Sequence, residues 1–94
     1  MENLKMKAHE ILEKAISTIK QRGVERDSEL TGERSMAKIV DGFNAITGHG
    51  LTVKEGWLFM VLLKATRAAS EKPQVDDFVD GAAYFGLAGE DKNV

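Results

Sequence analysis

The chain has 94 residues, 43% of them hydrophobic and 30% charged, a balance typical of one folded domain (residues 1–94) and not of a disordered segment. The formal net charge of −2 argues against nonspecific binding to nucleic acid, which requires a surplus of cations. The absence of cysteine excludes disulfides, thiolate metal sites and cysteine nucleophiles. No apolar run approaches the ~18 residues of a membrane span. The charged N-terminus is unlike a secretory signal, so we expect a cytoplasmic protein with no membrane partner.

The first half of the chain predicts two helices. Apolar residues recur at helical spacing over residues 2–22, and Gly23 directly after them is typical of a helix C-terminus. A polar loop follows over residues 23–32. The second helix opens near Ser35 and ends before a turn over residues 44–50, which contains two glycines. Its apolar stripe consists of Met36, Ile39, Val40, Phe43 and Ile46.

The second half predicts two more helices. Thr52 and Glu55 have the spacing of a capping box, which opens a third helix over residues 53–70. Pro73 cannot continue that helix, and a fourth follows over residues 75–88. One side of the fourth helix carries an apolar stripe of Val75, Phe78, Val79, Ala82 and Phe85. The expected fold is all-α, a small bundle of about four helices.

The third helix contains seven consecutive apolar residues, 57–63, which point in every direction around its axis. Three other helices of so short a chain cover only part of such a helix. We therefore expect a homo-oligomer with Trp57, Phe59 and Met60 at or near the subunit interface. The alternative is a central helix wrapped within a monomer.

Lys64 places a cation on the stripe that contains Trp57 and Met60, and Arg67 follows one turn later. A buried ammonium is costly unless it is paired or binds a ligand. Lys64 therefore either reaches the surface or a carboxylate of the fourth helix, or it binds a phosphate or carboxylate ligand in a cleft. The pattern leaves both interpretations open.

The fourth helix carries Asp77 and Asp80, spaced to present two carboxylates to one hard cation such as Mg²⁺, with Tyr84 one turn beyond. Carboxylates in a first turn also simply favour the helix dipole, and this face lies opposite the expected apolar stripe. Metal binding by this pair and a purely structural role both remain possible interpretations.

Arg26, Arg34 and Ser35 form a second candidate anion site, because guanidinium groups and the start of a helix converge there. The alternative is a loop held by surface ion pairs. The chain contains no zinc-binding HxxxH or HExxH spacing, and no P-loop, Rossmann or serine-hydrolase motif.

Four segments carry a family resemblance: ERSM, FNxITG, EGWxFMxLLKxxR and DxxDGAAY. Over residues 21–90 the chain resembles a family of small phage and prophage proteins of unknown function. A Lys-x-x-Arg helix end followed by D-x-x-D and tyrosine is also distantly similar to the all-α nucleotide pyrophosphohydrolases of the MazG type. That similarity implies Mg²⁺ held by Asp77 and Asp80, with Lys64 or Arg67 facing phosphate.

The chain departs from those enzymes because their earlier EExxE cluster is represented only by Glu33 and Asp41. Three hypotheses follow. The first is a phage-derived protein that binds a nucleotide or other phosphate-bearing ligand and sequesters a host defence signal, with no certain cofactor. The second is a Mg²⁺-dependent nucleotide pyrophosphohydrolase. The third is a protein-binding inhibitor of a host defence complex.

Overall fold

The computed structural model describes residues 6–26 and 33–90 of the chain. It contains four α-helices: α1 (Ala8–Arg26), α2 (Glu33–Thr47), α3 (Val53–Ala68) and α4 (Val75–Gly89). The described residues form no strand, which confirms the prediction of a small all-α bundle. None of these four helices combines the length and the hydropathy required to cross a lipid bilayer.

The boundaries of α1 differ from the prediction at both ends. The helix continues through Gly23 to Arg26, because a glycine inside a helix costs only ~1 kcal/mol and leaves the backbone hydrogen bonds intact. At the other end the helix begins at Ala8. The Lys7 N–H, just before this start, donates a hydrogen bond of 2.8 Å to the Glu10 side chain. The expected start at residue 2 lies outside the described residues.

The connection between α2 and α3 is shorter than predicted, because α2 extends to Thr47. Gly48 then adopts a φ of 79°, in the left-handed region that favours glycine. Asn44, expected in the turn, lies instead in the helix and closes the loop with its side chain. Its amide donates to the Leu51 carbonyl at 2.9 Å and its Oδ1 accepts from the Leu51 N–H at 2.8 Å.

The predicted capping box of α3 is confirmed. The Glu55 N–H donates to Thr52 Oγ1 at 3.1 Å, and the Thr52 N–H donates to Glu55 Oε1 at 3.0 Å. The helix ends at Ala68, two residues before the predicted end. The boundaries of α4 match the prediction within one residue.

The α3–α4 pair forms the centre of the fold, with α1 packed on α4 and α2 packed on α3. The two central helices run antiparallel, since the C-terminal half of α3 faces the N-terminal half of α4 through Lys64 and Asp80. One core cluster contains Met36, Val40, Trp57, Leu87 and Ala88. A second cluster, between α1 and α4, contains Ala15, Val79 and Ala83.

The inward face of α4 matches the prediction only in part, since Val79 of the expected stripe is buried, at 2% exposure. Phe78 and Phe85, expected in the core, are 43% and 63% exposed, whereas Asp77 is only 8% exposed. The contact with α3 uses the face that carries the carboxylates and Gly81, which packs beside Lys64. An apolar stripe predicts burial, but it does not specify which neighbour covers it.

The approach of α2 to α3 depends on Gly56, because a Cβ at this position would lie 2.5 Å from Met36 Sδ and 3.1 Å from Val40 Cγ2. We predict that Gly56→Ala lowers the free energy of unfolding by about 1–2 kcal/mol, since the crowding outweighs the gain in helix propensity. Gly42→Ala is the control: nothing lies within 4 Å of its Cβ position, and it should raise stability by about 0.5–1 kcal/mol. Urea unfolding followed by circular dichroism measures both, and equal effects would contradict the prediction.

The two hydrogen bonds from the Asn44 side chain to the Leu51 backbone, which we call the Asn44 clamp, lead to a second prediction. Asn44→Ala removes both hydrogen bonds to Leu51 and should cost about 1–3 kcal/mol, because two partly buried backbone groups lose their partners. Asn44→Asp retains the acceptor for the Leu51 N–H and loses only the donor. Amide hydrogen exchange of Leu51 should therefore accelerate strongly in the alanine variant and much less in the aspartate variant. Identical exchange in both variants would show that the clamp does not hold the loop.

Candidate functional site

A groove of about 460 Å³ lies between the C-terminal half of α3 and the N-terminal half of α4. Most of its wall is apolar, and its two ionisable lining residues are Lys64 and Asp77. We call it the α3–α4 groove. It is lined by Val61, Lys64, Ala65, Ala68, Ala69, Asp77, Phe78, Gly81 and Ala82.

Lys64 and Asp80 form an ion pair across the wall of this groove, with Lys64 Nζ 3.0 Å from Asp80 Oδ2. The two side chains are only 12% and 20% exposed, so solvent screens the pair less than it would a surface pair. Of the two sequence interpretations of Lys64, the structure shows pairing with a carboxylate of α4. The ammonium nevertheless has three donor hydrogens, more than one carboxylate oxygen uses.

Asp77 has a structural partner as well. Its Oδ2 accepts a hydrogen bond of 3.0 Å from the Gln74 N–H and so caps the first turn of α4. Asp77 and Asp80 therefore both have partners within the protein. Within the part of the chain that the structure describes, no three His, Cys, Asp or Glu side chains come close enough together to hold a metal ion. Asp41 lies exposed on α2.

Trp57 and Tyr84 stack across the same helix pair, with ring centroids 5.5 Å apart and an interplanar angle of 25°. Tyr84 lies one helical turn from Asp80, so its ring continues the line of polar groups along α4. The Trp57 Nε1–H is buried and has no hydrogen-bond partner among the described residues. Trp57 is buried within one chain, and its expected place near a subunit interface stays a prediction.

The structure thus brings four predicted site residues, Lys64, Asp77, Asp80 and Tyr84, to one helix interface. The others lie elsewhere. Ser35 and Arg67 are exposed and do not line the α3–α4 groove. The side chains of Arg26 and Arg34 lie outside the described part of the structure, which gives only their helical backbone in α1 and α2. The second candidate anion site, at Arg26 and Arg34, therefore stays a prediction.

Phe59 and Met60 line a different cavity, of about 270 Å³, between α2 and α3. We call it the α2–α3 groove. All its lining residues are nonpolar: Met36, Ile39, Val40, Phe43, Leu51, Gly56, Phe59 and Met60. Ile39 and Phe43 were not among the predicted site residues, although they line this groove. The apolar stripe on α2 is wider than one neighbouring helix covers, and this width could have indicated that they form part of a groove.

A family model for a domain of unknown function, DUF6378, matches residues 10–92. The matched region includes most of α1, which the resemblance over residues 21–90 had left outside. No curated protein and no solved structure matches the chain. The match covers nearly the whole chain and contains every residue of both grooves. The chain therefore belongs to the DUF6378 family of domains of unknown function.

Proposed function

We propose that this protein binds a phosphate-bearing small molecule, such as a nucleotide, in the α3–α4 groove and does not hydrolyse it. The observation that carries the proposal is the Lys64–Asp80 ion pair, which is largely buried and lies beside a groove that is otherwise mostly apolar. Because little water screens this ammonium, a phosphate oxygen that takes up a donor hydrogen left unused by Asp80 would form a strong charge-assisted hydrogen bond there.

The groove suits a ligand with an apolar part and an anionic part. Val61, Ala65 and Phe78 provide an apolar wall on which a base or sugar can pack. Lys64 lies on the same wall, and its remaining donor hydrogens can bind a phosphate oxygen. Asp80 keeps the ammonium in place when no ligand is bound.

The geometry supports binding more than hydrolysis. A Mg²⁺-dependent pyrophosphohydrolase needs several carboxylates around the metal. Here Asp77 Oδ2 caps α4 and Asp80 Oδ2 pairs with Lys64, so part of each carboxylate already serves the protein, and among the described residues no third acidic, His or Cys side chain joins them. Mg²⁺-dependent hydrolysis is therefore the alternative, and the ligand-binding experiment described below tests it as well.

The biological setting that we propose follows the resemblance to phage proteins: a phage-encoded domain sequesters a nucleotide that signals host defence. A protein-binding inhibitor of a host complex is the second candidate function. The observation that favours it is the number of large apolar side chains exposed on all four helices, among them Leu12, Ile16, Ile46, Phe59 and Phe85.

The test of ligand binding must separate Lys64 from its structural role. Lys64→Met alone leaves Asp80 largely buried without a partner, and it should lower the free energy of unfolding by about 1–3 kcal/mol. The double variant Lys64→Met/Asp80→Leu removes both charges and should restore most of that stability. Lys38→Met, which changes an exposed lysine on α2, is the matched control.

We expect a panel of nucleoside mono-, di- and triphosphates and cyclic nucleotides to contain at least one ligand that stabilises the wild type. Saturation at 100 times the dissociation constant adds about 2.7 kcal/mol, a thermal shift of roughly 10 °C for a domain of this size. The double variant should lose that shift and Lys38→Met should keep it. A shift that survives in the double variant would contradict binding at Lys64, and pyrophosphate release with Mg²⁺ at about 1 s⁻¹ or faster would favour the enzyme.

A further inference from the structure

One face of the molecule exposes six large apolar side chains, three from α2 and three from α3. They retain between 38% and 86% of their accessible surface. We call this surface the α2–α3 face. It consists of Ile39, Phe43, Ile46, Phe59, Leu62 and Leu63.

The two helices contribute to one surface where α2 packs on α3. Ile46 follows Phe43 by three residues and therefore lies on the same side of α2. Ile39, Phe43 and Phe59 line the α2–α3 groove together. Leu63 follows Phe59 by one turn on the same side of α3, and Leu62 lies beside it. The contacts of α2 with α3 centre on Gly56, in the first turn of α3, so no helix within residues 6–26 and 33–90 covers the stripe beyond Phe59.

The area of this face is what a dimer interface requires. Side chains of this size expose up to about 200 Å² each, so six at these fractions present on the order of 700 Å² of apolar surface. Specific protein interfaces bury about 800 Å² on each partner. At ~25 cal/mol per Å² this surface would contribute strongly to association once it is removed from water.

The face is also self-complementary. It contains a concave part, the groove of about 270 Å³, and a convex part, the side chain of Ile46, which is 86% exposed and lies outside the groove lining. A two-fold axis through one patch lets the convex part of each copy enter the concave part of the other. None of the six side chains is charged, so no charge on the face needs a complementary charge on a different partner.

We propose that the protein is a symmetric homodimer in which the α2–α3 faces of two copies pack against each other. In this arrangement α2 and α3 of each copy cover the apolar stripes of the other copy's α2 and α3. The dimer covers the outer halves of the apolar stripes on α2 and α3 that a single chain leaves exposed.

The dimer leaves the α3–α4 groove open. On an ideal helix Phe59 and Val61 point about 160° apart, so the α2–α3 face and the groove lie on opposite sides of α3. Self-association and ligand binding therefore use different surfaces. The failure of one proposal would leave the other standing.

Sedimentation equilibrium of the full chain at 10–100 µM tests the proposal. We expect the wild type to have twice the monomer mass of 10.3 kDa. Phe59→Glu places a charge in the interface and should weaken the dimer by about 30-fold or more, to a mostly monomeric species at the lower concentration. Phe85→Glu is the matched control, because Phe85 is similarly exposed, at 63%, but lies on α4 outside the α2–α3 face.

Circular dichroism verifies that both variants remain helical. If Phe59→Glu does not fold, Ile46→Lys replaces it, since this side chain is 86% exposed and makes few contacts within one chain. A monomeric wild type at 100 µM would overturn the proposal and leave the face to a different protein. Dissociation by Phe85→Glu while Phe59→Glu or Ile46→Lys stays dimeric would overturn it as well, by assigning the interface to α4.

Discussion

The α3–α4 interface is the contact on which the other parts of the fold depend. Trp57 stacks on Tyr84 at one level, and the Lys64–Asp80 ion pair fixes the register of the two helices at another. Because α1 packs on α4 and α2 packs on α3, the arrangement of the central pair determines where the two outer helices lie. A register shift between α3 and α4 would break the stack and the ion pair together, so each contact supports the other.

The helices could be predicted from the sequence wherever a local hydrogen bond or a blocked backbone determines the outcome. The capping box at Thr52 and the break at Pro73 depend only on nearby residues, and both predictions are correct within two residues. Gly23 misled the prediction because a glycine permits a helix end without requiring it. Asn44 misled it because its partner, Leu51, lies seven residues away.

The face of each helix that becomes buried was harder to predict. Periodicity identified the apolar stripe on α4 but placed its phenylalanines inside, whereas the structure turns Asp77 and Asp80 toward α3. The carboxylates are tolerated there because each has a partner, Lys64 for one and the backbone of Gln74 for the other. Such pairings join residues on different elements, and a single sequence does not specify them. The sequence therefore identified Lys64, Asp80 and Tyr84 as candidates, but it did not specify that they meet at one helix interface.

The stacked indole also gives this protein an intrinsic spectroscopic reporter. Trp57 is the only tryptophan in the chain, so all indole fluorescence arises from the α3–α4 interface. Its ring is buried and its N–H is unsolvated, which places its emission at shorter wavelength than that of a hydrated indole. Tyr84 stacks on it with ring centroids 5.5 Å apart. Separation of the central helices would expose the indole to water and shift its emission to the red, so the opening of this interface can be followed optically without a label.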